Sequence, residues 1–501
     1  MDTTGRAPLR VMAGRAWPLC DIGATRALER AALAATPEHA LMRRAGLATA
    51  RLALALHPHA DTIWVAAGPG NNGGDGMEAA LHLHAAGKRV LVTWLGTRTS
   101  TPADAAAAHD RARAAGVPFA STLPDQWDLC IDALLGIGAS REPDGAMAQW
   151  IAHIRQSQAP VLSIDMPTGL HADTGVAANH RVQAHATLCL LTLKPGLFTG
   201  DGRDASQQVW LDELQLDTKA WLPPLGPTAR LIGSAPVPVR RHASHKGSFG
   251  DVAVVGGAPG MTGAALLAAS AALHAGAGRV FLCTLAPEAT SCASAVAMPE
   301  LMQRDIDALD PGRMTVVCGC GGGDRVRAVL PRLLLNAARL VLDADALNAV
   351  AGDTGLRRQL HARAARELST VLTPHPLEAA RLLEKTVAQV QSDRLNAARQ
   401  LATDHQCTVV LKGSGSIVVA PGHIASINPT GNARLAVPGS GDVLAGMIGA
   451  ALAAGSKPFD AACQAVYLHG TAADLWPAGV TLSASELARR AGAAAWRHAS
   501  G

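Results

Sequence analysis

The chain has 501 residues, 49% hydrophobic and 17% charged, with a net charge of only +4, so it holds enough for two hydrophobic cores and lacks the basic excess of a nucleic-acid binder. Its nine cysteines form no repeated Cys-x-x-Cys pair, which offers neither a disulfide framework nor a zinc site and suits reduced thiols in the cytoplasm. The first residues lack a signal-peptide core, and the longest apolar runs, such as 443–454, fall short of a membrane span.

Residues 21–55 repeat apolar positions at helical spacing, with Pro37 starting a second scaffold helix. Residues 62–67 read as a buried strand that runs into Gly68-Pro69-Gly70-Asn71-Asn72-Gly73-Gly74-Asp75-Gly76, followed by a helix over 77–86. Gly68-x-Gly70-x-x-Gly73 matches the dinucleotide fingerprint, yet the next strand, 89–95, ends without the carboxylate that would hold a ribose, and Asp75 would sit beside a pyrophosphate. A hydride-transfer domain is therefore disfavoured. Two further strands end in carboxylates, Asp132 and Asp165, the second followed by Met166-Pro167-Thr168-Gly169. In an open parallel sheet such strand ends converge, and amide, carboxylate and hydroxyl oxygens from Asn72, Asp75, Asp132, Asp165 and Thr168 suit a hard cation. Turn capping by strand-end Asp is the plainer reading of any one of them.

Residues 217–239, with Pro223-Pro224-Leu225-Gly226-Pro227 at their centre, read as a linker, which divides the chain into domains 1–222 and 228–501. A second strand, glycine loop and helix follow from residue 251, and later strands end in Gly319-Cys320-Gly321-Gly322-Gly323 and in Asp343-Ala344-Asp345. Lys412-Gly413-Ser414-Gly415-Ser416 sits at a turn between strands and suits phosphate or adenosine contact, or is only a tight hairpin. His375 lies between two prolines. The charges over 381–404 read as a solvated helix face, and Cys318 and Cys320 as strand-end packing. Near the end, Gly439-Ser440-Gly441-Asp442 opens a small-residue helix, where unpaired N–H groups and the macrodipole make an anion site for phosphate. Asp442 is either a general base beside that phosphate or an N-terminal helix cap.

The motifs GPGNNGGDG, DALLGIG and SIDMPTG, in this order after an LMRRAG helix, resemble the epimerase family that repairs NAD(P)H hydrates, whose fold is Rossmann-like. The resemblance implies hydrate contacts at Asn71, Asn72, Gly73, Gly74, Asp75, Gly136, Ile137, Gly138, Ala139, Ser140, Arg141 and Glu142, Asp165 as the acid/base residue, and potassium on Asn72, Asp132 and Thr168. Inverting a carbon that carries a hydroxyl and a ring nitrogen needs a proton donor and acceptor to help water leave and return, a task Asp165 can share.

The motifs HKGSFGDVAVVGGAPGMTGAALLAA, LVLDADALN, TPHPLEAARLL, LKGSGSIVVA and NPTGNARLAVPGSGDVLAG resemble the dehydratase partner of that epimerase, a ribokinase-like α/β family that uses ADP to dehydrate the S hydrate. Carried onto this chain, the resemblance implies hydrate contacts at Ala264, at Gly321 and Gly323 and from His375 to Arg381, ADP on Lys412, Gly413, Ser414, Gly415 and Ser416 and from Asn432 to Gly439, Ser440 and Gly441, and Asp442 as the base. Mg2+ would come with the ADP, and a homo-oligomer is expected. The chain departs from the pattern at Pro438, Cys320, Gly322 and Leu377; Pro438 stands where glycine is usual and removes a backbone donor near the anion site. The competing readings are a ribokinase-like small-molecule kinase fused to a ligand-binding domain, and a non-catalytic nucleotide-binding scaffold.

Overall fold

The computed structural model describes residues 7–97, 99–138, 141–218, 226–234, 241–286 and 298–499. The chain forms two compact units, Met1–Met12 with Trp17–Arg230, and Ala13–Ala16 with Leu231–Gly501. The central prolines of the expected linker, Pro223 and Pro224, lie outside the described residues.

Residues up to 231 carry β1 (Leu9–Arg10), β2 (Pro18–Leu19), β3 (Thr62–Ala67), β4 (Arg89–Trp94), β5 (Phe119–Ala120), β6 (Leu129–Ala133), β7 (Val161–Ile164), β8 (Ala186–Leu190), β9 (Gln208–Asp212) and β10 (Ala229–Leu231), and the first unit is built on all of them but the short antiparallel pair β2 and β10. Its main sheet runs β1-β9-β8-β7-β6-β3-β4-β5. All neighbours are parallel except the edge pair β1 and β9. Every residue of β6, β7 and β8 is buried, as continuous apolar strands covered on both faces require. Because β3 pairs with both β4 and β6, the chain leaves β3 in one direction and returns on its other side. This is the Rossmann-like order, and ligands lie at that reversal, beyond the carboxyl ends of the strands.

The glycine-rich stretch differs from the expectation of a loop before a helix at 77: the helix Asn71–Ala85 starts six residues earlier, capped by Gly70. The reason is close packing. A side chain on Gly73 would overlap the Gly68 carbonyl, one on Gly74 would meet Met42, and one on Gly76 would meet Ala133 on β6. Glycine inside this helix lets it press onto the sheet and onto the neighbouring helix Ala40–Leu56. That helix begins three residues after Pro37, because Ala40 N donates to Pro37 O (3.1 Å) and His39 closes the turn at φ 61°.

The second unit is built on β11 (Asp251–Gly256), β12 (Arg279–Thr284), β13 (Met302–Gln303), β14 (Thr315–Cys318), β15 (Arg339–Leu342), β16 (Ser369–Leu372), β17 (Thr408–Leu411), β18 (Ile417–Val419) and β19 (Ala425–Ile427). They follow the order β13-β12-β11-β14-β15-β16-β17-β18-β19, parallel as far as β17 and antiparallel beyond it. The expected α/β class therefore holds in both units. The helix Ser440–Ala453 is apolar on nearly every side and is buried accordingly. A side chain on Gly446 would overlap Ala268 of the helix Thr262–His274, and one on Gly449 would meet Val317 of β14. These two contacts set the helix against the sheet and its first turn near the strand ends.

Candidate active sites of the two units

At the first unit's strand reversal lies a cavity of about 440 Å3, lined among others by Asn71, Asn72, Asp75, Gly136, Ile137, Gly138 and Asp165. Asp165 ends β7 with φ 66°, a left-handed conformation that Asp tolerates better than most side chains. Its Oδ1 accepts from Lys194 Nζ, and its Oδ2 accepts from Ile137 N (3.2 Å). Lys194 is wholly buried and also donates to Leu190 O (3.0 Å). A side chain on Gly136 would stand 3.1 Å from Asp165 Oδ2 and 3.3 Å from Asn72 Oδ1, so only glycine keeps these two groups open to the cavity. Burial, and then the nearby Asp165 and Glu29 charges, hold the Asp75 carboxyl well above its ordinary range.

Asp132 and Thr168 meet directly: Thr168 Oγ1 donates to Asp132 Oδ1 (2.7 Å), while Thr168 N (2.9 Å) and Ser163 Oγ (2.8 Å) donate to Oδ2. Asp132 is fully buried, its bonding partners are neutral, and burial pushes its pKa up against those hydrogen bonds. Asn72 hydrogen-bonds to neither, and its buried Nδ2 has no partner among the described residues. Gly73 and Gly74 are packing positions rather than cavity walls. Arg141 and Glu142 are exposed and outside the cavity lining, with Glu142 Oε1 accepting from Asn179 N (2.8 Å). Ala139 and Ser140 lie outside the described residues.

In the second unit Gly439 caps the helix Ser440–Ala453 at φ 88°. Asp442 is third in the helix, not its cap. Ser440 N is turned to Val437 O (3.4 Å) and Val443 N to Gly439 O (3.1 Å), which leaves the Gly441 and Asp442 N–H groups unpartnered among the described residues. Those are the donors an anion would meet. The side-chain oxygens of Asp442 and Asp343 and the Cys320 sulfur lie within 4.8 Å of one another. Lys412 Nζ donates to Asp343 Oδ1 (2.6 Å) and lies 3.8 Å from Glu378 Oε2, and Thr373 Oγ1 donates to Asp343 Oδ1 (2.7 Å). Burial and the Asp343 charge lift Asp442 to about 6, and burial lifts Glu378 to about 7.

His375 caps the helix Pro376–Leu383: its Nδ1 accepts from Leu377 N (3.1 Å), so the ring proton sits on Nε2, 3.2 Å from Glu378 Oε1. Gly321 and Gly323 hold left-handed turns at φ 59° and 53°, and a side chain on Gly321 would meet Ala264 at 2.9 Å. Gly323 N donates to Asp345 Oδ2 (2.8 Å). Lys412, Gly413, Ser414, Gly415 and Ser416 form the turn between β17 and β18, whose register pairs Leu411 with Ile417. Asn432 is engaged by its own framework, donating to Ala473 O and Asp474 Oδ1, each at 3.0 Å. Ser440 Oγ donates to Leu435 O (2.8 Å). Pro438 is exposed and precedes the cap.

Two plain readings are corrected. Arg394, within the stretch expected to be solvated, is 1% exposed and donates to Lys412 O (3.2 Å) and Gln391 Oε1 (2.7 Å), buttressing the β17–β18 turn. Cys320 is more than strand-end packing, because its sulfur lies 3.9 Å from Asp343 Oδ2 within the carboxylate cluster. Sequence reasoning also missed Lys194, Asp343 and Thr373 as site residues, whereas Glu378 lies inside the stretch from His375 to Arg381 expected to meet the hydrate. The available signals were a lysine inside the apolar run 186–198 and an Asp closing a buried strand.

A carboxylate pocket at the reversal of one parallel sheet, and in a second unit a carboxylate beside free N–H groups at a helix start, define a two-part α/β enzyme. One family model, described as NAD(P)H-hydrate dehydratase, matches residues 252–491, and another, described as YjeF-related protein N-terminus, matches 38–196. The Escherichia coli bifunctional NAD(P)H-hydrate repair enzyme Nnr is 36% identical over 453 residues, 87% of this chain and 84% of that one. The Neisseria meningitidis ADP-dependent (S)-NAD(P)H-hydrate dehydratase is 44% identical over 264 residues, 51% of this chain and 88% of that one. A Bacillus subtilis ADP/ATP-dependent NAD(P)H-hydrate dehydratase crystallised with ATP/Mg2+ aligns with a TM-score of 0.45 and 30% identity, over 52% of this chain and 95% of that one. The chain belongs to the family of bifunctional NAD(P)H-hydrate repair enzymes.

Proposed function

We propose that the first unit interconverts the R and S hydrates of NADH and NADPH in the Asp165 cavity, and that the second unit uses ADP to dehydrate the S form. The observation that carries the second half is Asp442, a carboxyl lifted to about 6 beside free N–H groups at a helix start. Near neutral pH it is ionised and still basic enough to take a proton. Asp442 accepts the hydroxyl proton while the oxygen attacks the terminal phosphorus of ADP, and the bond to AMP breaks. The Gly441 and Asp442 N–H groups face the charge on the moving phosphoryl group. The ring nitrogen then expels phosphate as the carbon–oxygen bond breaks, and loss of a proton from the adjacent carbon restores the dihydronicotinamide. Products are NAD(P)H, AMP and phosphate.

Lys412, Gly413, Ser414, Gly415 and Ser416, with Gly439, Ser440 and Gly441, are assigned to the nucleotide. Ala264, Gly321, Gly323 and His375 are assigned to the hydrate, and Asn432 acts through the turn it holds. Mg2+ would arrive with the nucleotide and neutralise its diphosphate; the hard carboxylate oxygens of Asp343 suit it, and Asp442 is kept for the proton. In the first unit, potassium would be held by Asn72, Asp132 and Thr168. The fit rests on the fully buried Asp132, which has only neutral bonding partners, and the ion would supply the missing positive charge. Asp165 moves the proton as water leaves and returns, and Lys194 fixes its orientation. All eight described cysteines are free and buried, which supports a cytoplasmic setting.

The test is product analysis with S hydrate and ADP. AMP, phosphate and NAD(P)H should form in equal amounts. A phosphorylated substrate that accumulates would instead favour the small-molecule kinase reading.

A further inference from the structure

The helix Ile22–Ala35 turns Thr25, Arg26, Glu29 and Leu33 into the first-unit cavity, a stripe at i, i+4 and i+8 with Arg26 beside it. That helix is pinned in place. Ala24 N donates to Asp21 Oδ1 (2.7 Å), Ile22 N to Asp173 Oδ1 (2.8 Å), and the buried Thr25 and Thr192 hydroxyls share a hydrogen bond of 2.8 Å. Thr192 lies two residues before Lys194, the partner of Asp165, so Glu29 is one helical turn from an anchor on the Asp165 scaffold. We propose that Glu29 is a catalytic residue of this cavity, the proton donor that works opposite Asp165; the proposal rests on the epimerase reading of the site.

Elimination among the ionisable groups of the cavity supports it. Arg26 carries a guanidinium, which serves as a hydrogen-bond donor and anion partner. Asp104 is engaged by His39, and Asp165 by Lys194 and Ile137 N. Burial, and then the carboxylates of Asp165, Glu29, Glu78 and Asp104, hold the Asp75 pKa well above its ordinary range, so its proton is tightly held. Glu29 is half-buried and has no hydrogen-bond partner among the described residues. Burial and then Asp165 raise its pKa above the ordinary Glu value against the pull of Lys194, Arg26 and Arg30, the direction a proton donor needs.

The step balances. Glu29 protonates the hydroxyl oxygen of the hydrate, the carbon–oxygen bond breaks, and the ring nitrogen's electron pair closes a carbon–nitrogen double bond as water leaves. Water then adds to the other face of that carbon and gives its proton to Asp165. A cavity water returns the proton from Asp165 to Glu29.

The experiment follows conversion of R to S hydrate by chiral chromatography, using the full chain without ADP so that the second unit is idle. Glu29→Gln should lower kcat by at least about 100-fold with KM unchanged. It should also lose the alkaline fall of the pH–rate profile, which reflects Glu29 among Arg26, Arg30, Asp75, Asp165 and Lys194. Glu29→Asp should restore part of the rate. ADP-dependent dehydration of S hydrate on the same preparations should stay at the wild-type level. The proposal is overturned if Glu29→Gln keeps the wild-type rate and pH profile, or loses only in KM, while Asp165→Ala is inactive. If Asp165→Ala also keeps epimerising, the reading of the cavity itself falls, and Glu29 with it.

Discussion

Asp165 in the first unit and Asp442 in the second are the same side chain in two different settings. Asp165 has a buried lysine as its partner and a backbone N–H on its other oxygen, so its direction is fixed. Asp442 faces a neutral thiol and the carboxylate of Asp343, and the nearest cation, Lys412, is bonded to Asp343 instead. A carboxylate that must exchange protons repeatedly without leaving its place benefits from the first arrangement, whereas a base that acts once per turnover benefits from being held near 6 by the second.

The widest break between the two comes from removing the cation. Lys194→Met leaves the buried Asp165 carboxylate unpaired and should cost the first unit about 3–5 kcal/mol. Amide exchange in β7 and β8 should report it, with β14 and β15 unaffected. Thr168→Val removes the hydroxyl that Asp132 accepts from in the fully buried pair and should cost about 1–3 kcal/mol, read in the same strands.

A third prediction turns on pH and sharpens the contrast in sign. Folding raises Asp442 from 3.8 to about 6 and Glu378 from 4.5 to about 7. The native state thus holds these protons more tightly than the unfolded chain, and stability falls as pH rises from about 4 towards 7. Asp442→Asn removes one of these carboxylates, so it should raise the unfolding midpoint of the second unit at pH 8 and leave it nearly unchanged at pH 4. With wild type, dehydration should slow as pH drops through about 6, where Asp442 takes up its proton. The smallest effect is expected at Pro438. It precedes the Gly439 cap, and the free donors belong to Gly441 and Asp442. Pro438→Gly should therefore change the ADP KM less than the roughly tenfold that one well-placed hydrogen bond can supply.

Much of the fold was legible because buried parallel strands read as short apolar runs, each followed by glycines where a helix turns back. The same rule misplaced one helix start: glycine signalled a loop at residues 71–76, whereas here it marks close helix packing that only tertiary contacts reveal. The acidic members of the sites were visible as strand-end or helix-start carboxylates. Their partners were not. Lys194 reaches Asp165 across 29 residues, and Lys412 reaches Asp343 across 69, distances over which no periodicity carries information. Arg394 was hidden for a related reason, since a charged residue in a helix looks solvated until a turn from elsewhere covers it.

The most direct measurement supplies mixed R and S hydrates with ADP to wild type, Asp165→Ala and Asp442→Asn, and follows recovery of NAD(P)H. Wild type should restore the whole pool, Asp165→Ala only the portion that is already S, and Asp442→Asn none of it. Equal recovery by all three proteins would contradict the account.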